Sequence, residues 1–239
     1  MLEIIEAVAA DLASLGVEGV FTGASTLPLL VTDPVVRGVL RHTRDVDVIV
    51  LVSGLVHYQG IQSGLRRLGY QDRLEEEGPL CRLWREGVPV DVMPCPDPGV
   101  GTDNRWFRSG CQQPDRVGLP GGGRIAVLDP VYFAAAKIDA FRSRGRVGGK
   151  LDWYGSPDLE DLLALVDGTP ELAEQVSTAP ADVAQHISGW ATEPLSQPDA
   201  RDIVDGNAAT PGRTTLLTER LESLVAGHTG DTPDPTGHQ

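Results

Sequence analysis

Asp45 and Asp47 stand two residues apart in the stretch Arg41-His42-Thr43-Arg44-Asp45-Val46-Asp47-Val48-Ile49-Val50. β-Branched residues dominate its second half, and acidic and apolar positions alternate, which predicts a strand. Side chains on a strand change face at every residue, so the two carboxylates share a face. Acids held side by side repel each other, and a cation between them would remove that repulsion. A solvated strand end with two exposed acids explains the pair equally well, and the pair alone does not choose. A third acid, Asp91, interrupts the apolar run Val88 to Pro94. That run also predicts a strand, with Asp91 on the face of Pro89 and Met93 and with Val88, Val90 and Val92 on the other. Three carboxylates at one sheet edge could hold two divalent cations about 3.5–4 Å apart. Mg2+, or Mn2+ in its place, suits such oxygen ligands together with substrate phosphates. One ion would activate an attacking hydroxyl, and the other would hold a triphosphate and its leaving group.

The elements around these acids follow from spacing and turn residues. Leu2, Ile5, Val8, Ala9, Leu12 and Leu15 predict a helix over residues 2–15, stopped by Gly16. Val17 to Thr22 predicts a strand running into Gly23-Ala24-Ser25-Thr26. After this turn Leu27, Leu29 and Leu30 predict a helical segment with Pro28 in its first turn. Such a turn could offer backbone N–H groups and the Ser25 and Thr26 hydroxyls to phosphate oxygens, with little side-chain bulk at Gly23 and Ala24. Ser25 could equally be a plain helix cap. Thr32-Asp33-Pro34 reads as a break. Leu55 to Leu68 predicts a helix closed by Gly69. Tyr70 to Glu76, Pro79 to Glu86 and Val88 to Pro94 predict three strands, with turns at Gly78-Pro79 and Glu86-Gly87.

Residues 95–124 are rich in Pro, Gly and polar side chains and read as irregular, with Trp106-Phe107 as a packing anchor. Gly121-Gly122-Gly123 lacks the Gly-Lys-Ser/Thr of a phosphate-binding P-loop and reads as a flexible turn between halves. Ile125 to Leu128 predicts a strand, and Asp129-Pro130 starts a helix to about Ser143. Ser156-Pro157 opens another, ending at Gly168. Pro170 to Ser177 and Ala181 to Trp190 predict two shorter helices, and Leu216 to Val225 one more. His228 to Gln239 reads as a disordered tail. The expected class is α+β: a mixed-sheet core over residues 1–123, a helical domain over 124–192 that completes the site, and a C-terminal extension over 193–239.

Bulk properties narrow the partners. The chain has 239 residues, 41% of them hydrophobic, and a formal net charge of −14. That charge argues against a general nucleic-acid coat protein. The dense basic run is Arg142-Ser143-Arg144-Gly145-Arg146 up to Lys150, which reads most simply as a solvated helix end and loop. Cys81, Cys95 and Cys111 form no CxxC pair, so neither a disulfide framework nor a zinc site is expected, and a reducing cytoplasm is the default. The N-terminus is acidic where a signal peptide needs basic residues, and no apolar run is long enough to span a membrane.

Gly23-Ala24-Ser25, then Arg41-x-Thr43-x-Asp45-Val46-Asp47, then Asp91 on a strand, resembles the polymerase-β-type nucleotidyltransferase superfamily. Within it, the Arg-x-Thr-x-Asp-x-Asp form and the helical second half resemble the AbiEii and MenT toxins of toxin–antitoxin systems. Lys137 followed by Asp158-Leu159-Glu160-Asp161-Leu162 matches a segment of that group. The resemblance covers residues 17–167 and implies roles. Gly23, Ala24, Ser25 and Thr26 would form the nucleotide-phosphate turn. Asp45 and Asp47 would bind metal, and Asp91 would complete the acidic cluster as ligand or base. Lys137 would neutralise triphosphate charge, with Asp158 assisting. The substrate would be an NTP, the acceptor an RNA such as a tRNA 3′ end, and a cognate antitoxin would be the protein partner.

Departures from the family are also plain. Ala24 replaces a second glycine, a loop around Thr32 to Arg41 is inserted, and the stretch Cys95 to Gly123 is long. Plainer readings of the same residues remain: Lys137 as a solvated helix lysine, Asp158 as a first-turn acid favoured by the helix dipole, and Asp161 as a helix-face acid. His42 and His57 carry no role, while Arg41 and Arg44 could bind phosphate or balance the neighbouring acids. Two further functions compete. The acceptor could be a small hydroxyl compound, as in aminoglycoside nucleotidyltransferases, whose cationic substrates suit an acidic chain. Alternatively the fold could be a catalytically inactive binding module, although such a descendant has no reason to keep mutually repelling acids.

Overall fold

Val46, Val48 and Val50 have no solvent exposure, and their burial fixes the strand on which the acids ride. Each buried valine contributes about 1.5–3 kcal/mol relative to exposure. This strand lies inside a six-stranded sheet of the computed structural model, which describes residues 1–73, 79–101, 104–119 and 121–227. The chain divides into two units, Met1–Leu30 with Arg41–Ala136, and Val31–Leu40 with Lys137–Gln239. The fold class is α+β with a mixed sheet.

The first unit holds the sheet. Its strands are β1 (Gly19–Thr22), β2 (Val46–Leu51), β3 (Arg82–Arg85), β4 (Val88–Cys95), β5 (Asp115–Gly118) and β6 (Arg124–Val127). Their spatial order is β3-β4-β2-β1-β6-β5. β2 pairs parallel with β4 and antiparallel with β1, and β1 pairs parallel with β6. Helices α1 (Leu2–Ser14) and α4 (Leu55–Arg67) complete the core of this unit with Ile5, Val8, Leu12, Tyr58, Ile61 and Leu65. Leu12 packs beside Val48: a Cβ on Gly19 would lie 2.7 Å from Leu12 Cδ1 and 2.5 Å from Val48 Cγ2. Tyr58 donates its hydroxyl to the Val92 carbonyl at 2.9 Å, tying α4 to β4.

The irregular stretch is more ordered than its composition predicts. It contains a short helix, α5 (Phe107–Gly110), and the edge strand β5, which pairs antiparallel with β6. β5 is mostly exposed and has no apolar alternation, so periodicity could not reveal it. Gly121 to Gly123 is accordingly part of a β5–β6 hairpin connection, with Leu119 N donating to Gly123 O at 2.8 Å, and not a joint between halves. Of the strand expected over Tyr70 to Glu76, Gln71 pairs with Trp84 as a single bridge, and residues 74–78 lie outside the described residues, as does the Gly78 turn position.

The second unit is helical. The expected break at Thr32-Asp33-Pro34 is present, since the preceding helix ends at Leu30, and a one-turn helix follows it, α3 (Pro34–Arg37), because the Asp33 carboxylate caps it through Val35 N at 2.8 Å. α6 (Pro130–Arg144) begins in the first unit and ends in the second, with Asp129 accepting from Val131 N at 2.9 Å and Tyr132 N at 3.1 Å. α7 (Pro157–Gly168), α8 (Leu172–Thr178), α9 (Ala181–Leu195), α10 (Ala200–Asn207) and α11 (Thr214–Ala226) follow. Their core includes Leu162, Leu165, Ile187, Trp190, Leu217 and Leu221. α10 and the last turn of α9 were not expected from a stretch rich in Pro, Asp and Gly. The inserted segment 31–40 is bound here: Thr32 N and Asp33 N donate to Gly168 O at 2.9 Å, and Arg213 joins Asp33 to the fully buried Asp167. The tail 228–239 lies outside the described residues.

The basic run is a helix end, as expected, with Arg142 and Arg144 in the last turn of α6, followed by a hairpin rather than a loop. β7 (Arg146–Val147) and β8 (Lys150–Leu151) pair antiparallel around Gly148-Gly149, whose φ angles of 59° and 82° suit the tight turn that only glycine accepts without strain.

Candidate active site

The acids meet because of register. Thr22 on β1 faces Asp47 on β2, Asp47 faces Asp91 on β4, and Asp91 faces Arg82 on β3. Partners in register on adjacent strands share a face, so Arg82, Asp91, Asp47 and Thr22 form one row across four strands. This is the face opposite Val46, Val48 and Val50. Asp91 is buried at 6% exposure, whereas Asp45 and Asp47 are half-buried. Asp45 precedes the first residue of β2 and accepts a hydrogen bond from Thr43 Oγ1.

The glycine turn closes directly on this row. Gly23 has φ 75° and ψ 179°. A Cβ placed on it would lie 2.0 Å from Asp47 Oδ2, so only glycine lets the backbone pass beside that carboxylate. Ala24 to Thr26 then form a 3-10 turn before the four-residue helix α2 (Leu27–Leu30). One helical turn supplies little dipole, so anion attraction here would rest on individual N–H groups. Thr26 is not presented outward: its hydroxyl and its N–H both go to the Gly23 carbonyl, at 2.8 and 3.0 Å. Ser25 is different. It is buried at 3% exposure, and its Oγ has no hydrogen-bond partner among the described residues. A buried hydroxyl left this way is unfavourable by about 1–3 kcal/mol, which an incoming phosphate oxygen could relieve.

Arg82 is the site residue that sequence reasoning missed. Its Nε donates to Asp91 Oδ1 and its Nη2 to Asp91 Oδ2, both at 2.7 Å. This hydrogen bonding raises the arginine pKa despite partial burial, and the charges of Asp91, Asp45 and Asp47 add to it. Arg82 therefore lies in the field of all three acids. The signal was available as a two-strand pattern, since Arg82 and Asp91 flank the Glu86-Gly87 turn at positions that pair across it. The neighbouring Cys81 is buried, and burial pushes its thiol up to about 12, with Asp91 and Asp47 adding. It is thus no thiolate ligand at neutral pH.

A divalent cation fits this set in part. Asp45 and Asp47 supply hard oxygens on one strand face, and Asp91 stands next in register. The two oxygens of Asp91 are committed to Arg82, however, and no group of three His, Cys, Asp or Glu among the described residues is set to hold a metal ion.

Lys137, Asp158 and Asp161 form a second cluster, in the helical unit. Lys137 Nζ donates to Asp158 Oδ1 at 3.0 Å and to Asp161 Oδ2 at 2.7 Å. Lys137 is not the solvated lysine of the plain reading, and Asp161 is no surface acid, being 1% exposed. Burial alone would lower the lysine pKa, but the charges of Asp161 and Asp158 outweigh it and raise it. Arg144, one heptad along α6 from Lys137, grips Asp158 through Nε at 2.7 Å and Nη2 at 2.9 Å. Against the opposing effect of burial, Arg144 and Lys137 hold the Asp158 carboxyl down to about 2. At the head of α7, Ser156 occupies the cap position without making the cap bond. Of the other basic residues, Arg142 pairs with Glu193, and Arg146 donates to the carbonyls of Arg142 and Gly149 at 2.9 Å.

No protein-family model and no curated protein matches the chain. Among solved structures it is similar to an antigenic nucleotidyltransferase-like protein from Paracoccidioides brasiliensis, at 17% identity over 87% of this chain and 93% of that one, with a TM-score of 0.48. No helix among the described residues is long and apolar enough to cross a membrane.

Proposed function

We propose that this chain is a metal-dependent nucleotidyltransferase. The observation that carries the reading is the registered row Thr22–Asp47–Asp91 with the Gly23 turn closed against Asp47. Gly23 to Ser25 would receive the phosphates of an NTP, Ser25 Oγ donating to a phosphate oxygen. Asp45 and Asp47 would hold Mg2+, with Asp91 joining when released from Arg82. Bound there, the cation would supply charge neutralisation at the α-phosphate and a lowered pKa for the acceptor hydroxyl. The acceptor hydroxyl would give its proton to a carboxylate of the row, Asp91 when it serves as base, and its oxygen would bond to the α-phosphorus while the bond to the bridging oxygen breaks and pyrophosphate leaves with that electron pair.

The resemblance of the Arg41 to Asp47 run extends the proposal to an RNA acceptor, such as a tRNA 3′ end, and to a toxin held by a cognate antitoxin. A second reading keeps the chemistry and replaces RNA by a small cationic hydroxyl compound. It is favoured by the local engagement of Arg142, Arg144 and Arg146 and by the net charge of −14. Lys137 and Asp158 belong to the proposal as charge-balancing residues of the helical unit.

The test is incubation with each α-labelled NTP, Mg2+ and total RNA, or a panel of aminoglycosides, beside Asp47→Ala. Label entering RNA only with intact Asp47 supports the RNA reading, and label entering an aminoglycoside supports the second. No transfer from any NTP to either acceptor, or equal transfer by Asp47→Ala, defeats the proposal.

A further inference from the structure

Trp84 stands two residues along β3 from Arg82, so its indole lies on the face of the acidic row. Its register partner is Pro89 on β4, and the adjoining pair, Leu83 with Val90, is fully buried on the other face. Asp45 precedes Val46, the partner of Val90, and so stands on the β2 side of Pro89. The charges of Asp45 and Asp47 both reach Arg82, which keeps them on the same side of the sheet as Trp84. Trp84, Pro89 and Asp45 are each half-buried, so this corner of the face meets solvent. Arg73 stacks on the indole there, its Cζ 4.0 Å from the ring centroid, within the range of a cation–π contact.

We propose that the Trp84–Arg73 stack receives the terminal base of the acceptor, which is then a single-stranded RNA 3′ end and not a cationic small molecule. This inference rests on the nucleotidyltransferase reading and goes beyond it by naming the residues that choose the acceptor. Position supports it first. Gly23 to Ser25 follow β1, which flanks β2 on one side, while β4 and then β3 follow on the other. Phosphates at the Gly23 turn and a base at Trp84 would therefore lie on opposite sides of the acids, as in-line attack on the α-phosphate requires. Reach supports it next. Neighbouring strands lie about 4.8 Å apart, so Trp84 stands about 10 Å from Asp45 across two spacings. The indole covers part of that distance, and a nucleoside covers the rest from its base to its 3′ hydroxyl. Chemistry supports it last. Bases stack on aromatic rings and on guanidinium planes, so a local platform can hold RNA on a chain of net charge −14. Arg73 and Arg82 would repel a cationic acceptor at the same place.

The experiment is fluorescence anisotropy of a short 5′-labelled single-stranded RNA with the full chain, beside the same strand ending in an abasic nucleotide. Wild type, Trp84→Leu and Trp84→Phe are compared, with thermal melts to establish that each is folded, and NTP affinity is measured separately by equilibrium dialysis. Wild type is expected to bind the intact strand about fivefold or more tightly than the abasic strand, the lower end of what one stacked base contributes. Trp84→Leu is expected to lose that preference and Trp84→Phe, which keeps an aromatic face, to retain most of it. NTP affinity is expected to be the same in all three. The abasic comparison uses wild type alone and keeps the test decisive if Trp84→Leu does not fold. Equal affinity for the two strands, a preference that survives Trp84→Leu, or no RNA binding by wild type overturns the inference. So does a loss of NTP affinity in Trp84→Leu without a loss of RNA affinity, which would give the stack to the base of the NTP. Aminoglycoside binding that needs Trp84, with RNA binding that does not, overturns it as well. Base-dependent RNA binding through Trp84 in a chain that transfers label from no NTP would sustain the platform and defeat the transferase reading alone.

Discussion

Arg82 and Asp91 stand opposite each other on β3 and β4, joined by two hydrogen bonds of 2.7 Å. Asp91 is also the register partner of Asp47, so one carboxylate belongs to a charge pair and to an acidic row at once.

The backbone passes beside this row at Gly23. Gly23→Ala would place a methyl group 2.0 Å from Asp47 Oδ2 on a backbone at φ 75°. Left-handed strain costs about 1–2 kcal/mol, and the displaced carboxylate adds to it. Thermal denaturation should show a loss of at least about 1 kcal/mol, and NTP-dependent transfer should fall further than stability explains. A variant as stable and active as wild type would show that the close approach has no consequence.

Ser25 separates stability from function. Its Oγ is buried without a partner among the described residues, so Ser25→Ala removes an unsatisfied group and should leave the unfolding free energy unchanged within about 0.5 kcal/mol, or raise it. The KM for NTP should nevertheless rise. A stability loss of about 1 kcal/mol or more in chemical denaturation would mean that the hydroxyl has a structural partner.

Lys137 requires the opposite caution. Lys137→Met leaves Asp158 to Arg144 and removes the Lys137 hydrogen bond from Asp161, whose side chain is fully buried. Removing one partner of a buried pair costs about 3–5 kcal/mol. Urea titration should show a loss of that order, and Lys137→Met/Asp161→Leu should recover part of it. A single variant as stable as wild type would mean that Lys137 does not balance these acids.

Asp158 makes part of the stability depend on acid. Its folded pKa is about 2, below the ordinary value of 3.8. A depressed pKa contributes stability that is complete above the unfolded value and is lost as pH falls through the folded one. The contribution is about 2 kcal/mol. The stability difference between wild type and Asp158→Asn should therefore shrink between about pH 4 and pH 2. A difference constant over that window would show that the carboxylate is not held by Arg144 and Lys137.

Much of this was legible in the sequence because burial writes a pattern. β2, β4, α1, α4 and the capped start of α6 follow from β-branched alternation, helical spacing and Asp129-Pro130. The edge strand Asp115–Gly118 was not legible, because an exposed strand held only by backbone pairing leaves no apolar period. The Arg146–Leu151 hairpin hid behind its charge, although Gly148-Gly149 was the turn signal. At the site, the three acids and the glycine turn stood out by residue type. Arg82 did not, since its meaning comes from cross-strand register. Asp161 did not either: its spacing of three from Asp158 shows a shared helix face, and only packing shows that the face is buried.

The central claim is that the Asp45–Asp47–Asp91 face is a cation-dependent nucleotide site. Anomalous diffraction from crystals soaked in Mn2+ with a non-hydrolysable NTP analogue tests it most directly. The account predicts a Mn2+ peak bonded to Asp45 and Asp47, with the analogue's phosphates over Gly23 to Ser25. A Mn2+ and nucleotide pair bound elsewhere, with this face left empty, would contradict it.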